Sequence, residues 1–433
     1  MRVAFYTLGC KLNQAETEAL VGQFSQSGFQ TVHPDEAADI YIANTCTVTH
    51  IADRKSRHWL RLARRRNPRA LIVATGCYAQ RCRRDLVSLA DLLVDNTDKE
   101  HLLKIVTNLS SPAPCLDPES IPSCHCERSE AISPIVDVVR TRSLIKIQDG
   151  CHGPCTYCVV PKVRSREYSL PASQIIDEVK HRLALGYKEV VLTGTKVGSY
   201  EDDDTNLGDL VQRILGETDI QRLRLSSLQP SEVSPELLAL WQDDRLCRHF
   251  HLALQSGSDT VLQRMKRSYS LDEYRRTLNL IREKMPDAAI TTDIMVGFPG
   301  ESDAEFEQSH SFCGQAGFAN IHVFPFSPRP ETLAARMPEQ INGKVRQERN
   351  RRMLALSLSA RRHFCEQLLG QTVPVLWEKE TGPGSGIYSG LTGNYIRVFA
   401  QSNKSLGNEI RPARLVELRS QGIWGTILDE NPG

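Results

Sequence analysis

The stretch Cys151-His152-Gly153-Pro154-Cys155-Thr156-Tyr157-Cys158 comes just after the apolar run Leu144 to Gln148 and puts three thiols within eight residues. Thiolates are the usual protein ligands of iron–sulfur clusters, and three of them at a four-iron cubane leave one iron open to chelate a small molecule. Three residues in the first gap and two in the second let one short loop wrap three corners of such a cluster. Zinc competes for the same thiols. A structural zinc site, however, normally takes four ligands, commonly as two close pairs, and no second pair follows nearby.

The loop resembles the signature of radical S-adenosylmethionine enzymes, with Tyr157 as the aromatic residue before its last cysteine. The resemblance implies that Cys151, Cys155 and Cys158 hold a 4Fe-4S cluster whose open iron binds the amino and carboxylate groups of S-adenosylmethionine. It also implies that an electron from the cluster cleaves that cofactor to a 5′-deoxyadenosyl radical. Such chemistry belongs to the cofactor, while the protein supplies position and a shielded site.

Downstream, strand-like runs recur at Glu189 to Leu192, Arg222 to Ser226, His249 to Leu254, Ile290 to Val296 and Asn320 to Phe324, with helical stretches between them. With Leu144 to Gln148 they predict an incomplete parallel (β/α)6 barrel whose site opens at the strand carboxyl ends. Loops leaving that face carry Thr193-Gly194-Thr195, Gln255-Ser256-Gly257 and Gly297-Phe298-Pro299-Gly300-Glu301. A glycine at a strand exit often only makes a turn. Each loop also resembles the corresponding radical-enzyme motif, which implies cofactor contacts from Tyr157, Gly194, Thr195, Gln255, Gly297, Phe298 and Pro299. Arg164 and Arg166 follow the cluster loop, where the family usually has an Arg-Gly pair and this chain has Arg164-Ser165. They either contact substrate phosphate or pair with acids. His251 and His322 fall inside strand patterns with no visible partner and read as satisfied structural residues. Cys247, Cys313 and Cys365 fit no ligand spacing, and Glu201 to Asp204 reads as a solvated loop.

Upstream, Arg2 to Thr7, Ile40 to Ala43, Leu71 to Thr75 and Leu92 to Asp95 alternate with segments of helical length, which predicts an α/β domain with a largely parallel, Rossmann-like sheet. Cys10, Cys46 and Cys77 follow the first three of these strands, and ligands of open α/β sheets gather at the carboxyl edge. Strand-end cysteines also serve as plain core residues. Gly9-Cys10-Lys11-Leu12-Asn13-Gln14, Asn44-Thr45-Cys46 and Gly76-Cys77 resemble the amino-terminal domain of methylthiotransferases, which implies that the three cysteines hold a second, auxiliary 4Fe-4S cluster. Cys82 lies outside that pattern. From Arg54 to Arg69 eight basic residues, among them Arg54, Lys55, Arg57 and Arg61, occur without an acidic one. A solvated helix face and a phosphate-contacting patch both fit that run; its place beside two cluster loops favours RNA.

Between Asn108 and Ser133 proline, serine and charge replace periodicity, marking a linker over residues 109–136 between a domain at 1–108 and one at 137–366. Cys124-His125-Cys126 within it reads as part of a tolerated insertion rather than a third metal site. After an Arg-rich helical stretch from Val345 to Leu369, short strand patterns at Thr372 to Glu378, Gly386 to Thr392, Tyr395 to Phe399, Glu409 to Leu418 and Trp424 to Ile427 predict a small β-barrel over 367–430. It resembles a TRAM domain, which implies RNA binding through Asn394 and Tyr395.

Thirteen cysteines in a chain with no secretory-signal pattern point to metal or catalytic thiols in the cytoplasm rather than to disulfides. No apolar run has the length to span a bilayer. A net charge of +1 leaves any nucleic-acid signal to local patches. The three-part resemblance implies a tRNA methylthiotransferase, most similar to the enzymes that act on threonylcarbamoyladenosine beside the anticodon, with two clusters, S-adenosylmethionine, a sulfur source and an electron donor such as flavodoxin or ferredoxin. A ribosomal-protein methylthiotransferase and a non-catalytic cluster-containing RNA-binding protein are the rival readings.

Overall fold

In the computed structural model, which describes residues 1–110 and 141–428, the chain divides into one unit over 1–139 and another over 140–433. The linker cysteines Cys115, Cys124 and Cys126 lie outside the described residues.

The first unit is built on strands β1 (Arg2–Thr7), β2 (Gln30–Val32), β3 (Ile40–Thr45), β4 (Leu71–Gly76) and β5 (Leu92–Leu93). All are parallel, in the order β2-β1-β3-β4-β5. In this doubly wound order the crevice at the carboxyl ends of β1 and β3 is where ligands gather. The central strands are nearly continuous apolar runs because both faces are covered. Ile40 and Ile42 pack with Val3, Phe5, Leu20 and Phe24 on one side, and Tyr41 and Ala43 with Trp59, Leu60 and Tyr78 on the other. Helix α1 (Lys11–Gln26) supplies Leu20 and Phe24, and α2 (His50–Arg66) supplies Trp59 and Leu60. Helix α2 starts at Thr49, whose side chain accepts the Ala52 N–H, and stops at Asn67 ahead of Pro68, a residue that disfavours helix before it. The edge strand β2 escapes sequence pattern because three residues carry no periodicity.

In the second unit six parallel strands follow one another: β6 (Arg142–Lys146), Glu189–Thr193, Arg222–Leu225, His249–Leu252, Ala289–Val296 and Asn320–Pro325. A parallel bridge between Leu223 and Leu246 joins the two halves. Among the described residues the first and last strands do not pair, so the barrel is incomplete. Alternation sorts its two faces. Ile290 and Ile294 pack under the surrounding helices with Tyr274, Leu278, Phe306 and Phe312, whereas Thr291, Asp293 and Met295 face the interior side.

A helix at Gly343–Gln367 leads to strands Thr372–Glu380, Ile387–Thr392, Arg397–Gln401, Ile410–Arg419 and Gly422–Ile427, which close into a barrel around Val375, Trp377, Val398, Ala413 and Ile423. Its third and fifth strands pair in parallel and all other pairs are antiparallel. No helix among the described residues is long and apolar enough to cross a membrane.

Candidate metal centres

Sheet order brings Cys10, Cys46 and Cys77 to the carboxyl ends of three adjacent strands, β1, β3 and β4. Gly9 takes a φ of +106°, and a Cβ there would stand 2.7 Å from the Cβ and 2.8 Å from the Sγ of Cys46. Only glycine lets the β1 exit pass the β3 exit so closely. The loops are then tied to each other by side chains from the quoted motifs. Asn13 donates to the carbonyls of Leu8 (2.8 Å) and Thr45 (3.2 Å), and Asn44 donates to the carbonyl of Asn13 (2.9 Å). Thr45 donates its hydroxyl to the Thr75 carbonyl (2.5 Å) and accepts the Ala79 N–H (3.1 Å), clamping β4 and the short helix α3 (Cys77–Arg81) beside it.

Two buried ion pairs flank this edge. Lys99 meets Glu16 at 2.5 Å and also donates to Asn44 Oδ1 at 3.3 Å. Arg81 lies 3.7 Å from Asp53 and donates to Thr47, which in turn donates to Asp53 at 2.7 Å. Cys10 is exposed while Cys46 and Cys77 are buried. Burial pushes the Cys46 thiol up to about 12, a Val48 backbone hydrogen bond offsets part of that rise, and Cys77 and Cys10 add to it. A thiol in that setting ionises when a metal meets its charge.

The second set sits on the loop after β6. Gly150, at φ +77°, turns the chain where a Cβ would fall 2.0 Å from the Arg166 carbonyl oxygen. Gln148 donates to the carbonyls of Asp149 and Gly150 and accepts the Lys196 N–H at 2.8 Å, tying this loop to the one after the second barrel strand. Cys151 Sγ accepts the Gly153 N–H at 3.2 Å, and Cys155 Sγ accepts Arg267 Nη1 at 3.3 Å. Burial works against the charge of Arg267, but Tyr269, Tyr157 and Cys155 around it raise its pKa above the usual arginine value. Burial lifts the Cys158 thiol to about 12 and raises Cys151 as well. Three thiols on one loop, close enough to act on one another's charge and with a cation against Cys155, suit an anionic thiolate cluster.

Other residues singled out by sequence fall into three groups. At the barrel mouth, Thr195 keeps a buried hydroxyl without a hydrogen-bond partner, and Gln255 adopts φ +71° while its N–H donates to the Asp293 carbonyl at 2.8 Å. Strain of that kind at a strand exit accompanies ligand sites. In the interior, Phe298 is fully buried and, with Val261, Met265, Phe326 and Ala334, forms the cluster against which Tyr157 packs, so these rings support the loop from behind. Pro299 is buried beside it, and the space next to the Cα of Gly297 and Gly194 is filled by Arg346 and Gln148. Arg164 is buried in a two-oxygen contact with Asp149 (2.7 and 2.8 Å) rather than turned to a phosphate, and Arg166, exposed, lies over the Tyr168 ring.

On the first unit, Arg54, Lys55 and Arg61 of α2 are exposed and enter no ion pair among the described residues, whereas Arg57 bonds the Tyr78 hydroxyl. The exposed positions Arg54, His58, Arg61 and Arg65 recur at helical spacing and form one stripe. Asn394 accepts the Thr392 hydroxyl at 2.5 Å, and Tyr395 is drawn against the amino end of the radical barrel, its hydroxyl accepting Arg142 at 2.9 Å. The Tyr395 ring, expected to meet RNA, is used inside the protein. The sequence also left His251 without a partner. It lies 3.3 Å from Asp293, with the His322 ring 5.6 Å away, and the period-two pattern Thr291, Asp293, Met295 was the signal for that interior row.

A barrel of this form with a three-thiol loop at its mouth, joined to a parallel-sheet unit with its own three thiols, defines a radical S-adenosylmethionine enzyme with an added cysteine domain. Residues 145–313 match the Radical SAM superfamily and residues 2–95 the Uncharacterized protein family UPF0004. The chain is 34% identical to the threonylcarbamoyladenosine tRNA methylthiotransferase MtaB of Bacillus subtilis, over 96% of this chain and 94% of that protein. It is 36% identical to MtaB of Aquifex aeolicus, over 95% and 99%. It is 32% identical to the tRNA-2-methylthio-N(6)-dimethylallyladenosine synthase of Syntrophotalea carbinolica, over 95% and 97%. Among solved structures, the radical S-adenosylmethionine methyltransferase TsrM of Kitasatospora setae superposes with a TM-score of 0.54 at 14% identity, covering 77% of this chain and 74% of that one, a likeness of fold. The chain belongs to the radical S-adenosylmethionine methylthiotransferase family. Its cofactors are S-adenosylmethionine and two 4Fe-4S clusters.

Proposed function

We propose that this chain converts N6-threonylcarbamoyladenosine beside the tRNA anticodon to its 2-methylthio derivative. The observation that carries the reading is the pair of three-thiol sets, one on each unit, in a chain that matches methylthiotransferases over nearly its whole length. Cys151, Cys155 and Cys158 would hold the cluster that binds S-adenosylmethionine, and Cys10, Cys46 and Cys77 the auxiliary one. When bound, these groups supply a radical strong enough to remove hydrogen from an aromatic carbon and a sulfur to put in its place. The chain's own part is to keep three thiols together, to hold Arg267 against Cys155, and to offer Thr195 and Gln255 at the mouth. An unactivated aromatic carbon gives acid–base groups no handle, which is why the reaction calls for a radical.

RNA would meet the exposed stripe Arg54, His58, Arg61 and Arg65 and the terminal barrel, which we read as a TRAM domain. Flavodoxin or ferredoxin would supply electrons, a separate sulfur source would replace what is consumed, and the work would be done in the cytoplasm. Nucleoside mass analysis of tRNA from cells lacking and then regaining the gene tests the substrate. The 2-methylthio form of threonylcarbamoyladenosine should vanish and return, and no change in any methylthio nucleoside would overturn the reading. Replacing Arg61 by Glu should weaken tRNA binding and flatten its salt dependence by about one unit of slope for each phosphate no longer neutralised.

A further inference from the structure

The Gly393-Asn394-Tyr395 turn of the terminal barrel sits at the amino ends of the radical barrel strands, opposite the cluster loop. Arg222 donates to the carbonyls of Leu391 (2.9 Å) and Thr392 (2.7 Å), and Arg224 donates to that of Gly393 (2.9 Å). Both guanidinium groups are buried against Glu189, each at 2.9 Å, so this contact is fixed from inside the radical barrel. Tyr395 adopts φ +68°, which a bulky side chain takes only when its surroundings force it. Arg224 lies over its ring at 4.6 Å, His249 stacks on it at 4.9 Å, and Arg142 reaches both its hydroxyl and Glu378 of the terminal barrel. From His249 the contacts continue through Thr291 (3.1 Å) and His251 (2.9 Å) to Asp293, which makes the barrel floor a closed polar stack. Asn408 adds a second, peripheral tie to the Gly186 carbonyl at 2.8 Å.

We infer that Tyr395 keys the terminal barrel to the radical barrel and is a positioning residue for RNA, fixing the direction from which a strand held on the terminal barrel reaches the mouth. The inference rests on the proposed RNA-binding role of that barrel. A strained aromatic held between Arg224 and His249 persists because its surroundings over-determine its conformation, and such strain gathers where a geometry is fixed for function. Its many contacts with the barrel floor make orientation the property it controls.

The test uses the full-length, reconstituted enzyme with tRNA, comparing wild type with Y395A, Y395F and R142M. Three quantities are measured: tRNA affinity, 5′-deoxyadenosine formed without tRNA, and methylthio product formed per 5′-deoxyadenosine with tRNA. Y395A should leave cofactor cleavage without tRNA unchanged and lower product per cleavage by about 10- to 100-fold, the penalty for misplacing a reacting atom by an ångström or so. Y395F, which keeps the ring, should lose far less, and R142M should fall between them. If Y395A does not fold, R142M, whose side chain is partly exposed, carries the test. An unchanged ratio in Y395A or R142M overturns the inference, whether or not affinity falls. Hydrogen exchange separates the two readings. Protection of residues 372–428 by tRNA in the wild type supports RNA on the terminal barrel, and its absence sinks that premise. Loosened exchange at Leu391 to Ile396 in Y395A supports the key independently of RNA.

Discussion

The two sets of three cysteines proposed as cluster ligands are assembled by opposite routes. Cys151, Cys155 and Cys158 are neighbours in the chain, so one loop carries all three, turned at Gly150, braced by Gln148 and the Phe298 cluster, and met by the cation Arg267. Cys10, Cys46 and Cys77 are neighbours only because β1, β3 and β4 lie side by side. That second site is held by Asn13, Asn44 and Thr45 across the strand ends and by the buried pairs Lys99–Glu16 and Arg81–Asp53. A site written in one loop tolerates change elsewhere in the domain, whereas a site written in topology depends on every contact that keeps the strand ends in register.

The largest effect expected is the division of labour itself. Replacing Cys155 by Ala should abolish cofactor cleavage and methylthio formation together. Replacing Cys46 by Ala should abolish methylthio formation but spare cleavage, with iron falling from about eight to about four per chain. Equal loss of cleavage in both variants would erase the distinction. Next, in the iron-free chain near pH 8, Cys46 and Cys158, whose thiols burial pushes up to about 12, should react with alkylating agents at least about tenfold more slowly than an ordinary thiol, the scarcer thiolate outweighing its greater nucleophilicity. The rate should rise with pH through that value, because only the thiolate reacts, and mass mapping of modified cysteines reads it. Third, Lys99→Met strands Glu16 in the interior and should cost the first unit about 3–5 kcal/mol in a urea titration, with the auxiliary irons lost before the others. The smallest contrast is Gly9→Ala against Gly153→Ala. The first puts a Cβ 2.7 Å from that of Cys46 at a positive φ, and the second puts one 3.1 Å from Cys151 Sγ without that backbone conflict. The first should cost about 1–3 kcal/mol and the second less, by the same titration.

Much of this was legible in the chain. The strands β1, β3 and β4, the six barrel strands and the five of the terminal barrel follow apolar runs of the right length, and the six cysteines fall where those runs end. What escaped the sequence depends on residues far apart meeting. Lys99 and Glu16 are 83 positions apart, and Arg142 and Tyr395 are 253 apart. No periodicity marks such pairs. From sequence Arg164 either contacts a substrate phosphate or pairs with an acid, and only the fold shows that the acid Asp149 lies beside it. Phe298 lies in a motif that suggests cofactor contact, yet its ring is enclosed by Val261, Met265 and Phe326, because a strand exit has an inner side as well as a mouth. Tyr395 was assigned to RNA by the resemblance of its turn to a known binding domain, and the arginines that claim its ring come from two other barrel strands.

The clamp formed by Thr45 bears on what keeps the three strand ends together. Its hydroxyl joins β3 to β4 and α3, and the apolar layers on both faces of the sheet are complete with protein side chains alone. The sheet that carries these strand ends thus has a packed core of its own on each face, whereas a zinc finger owes its fold to its metal. Of that sheet's three strand-end thiols only Cys10 is exposed, so solvent and reagents reach that edge first at the end of β1.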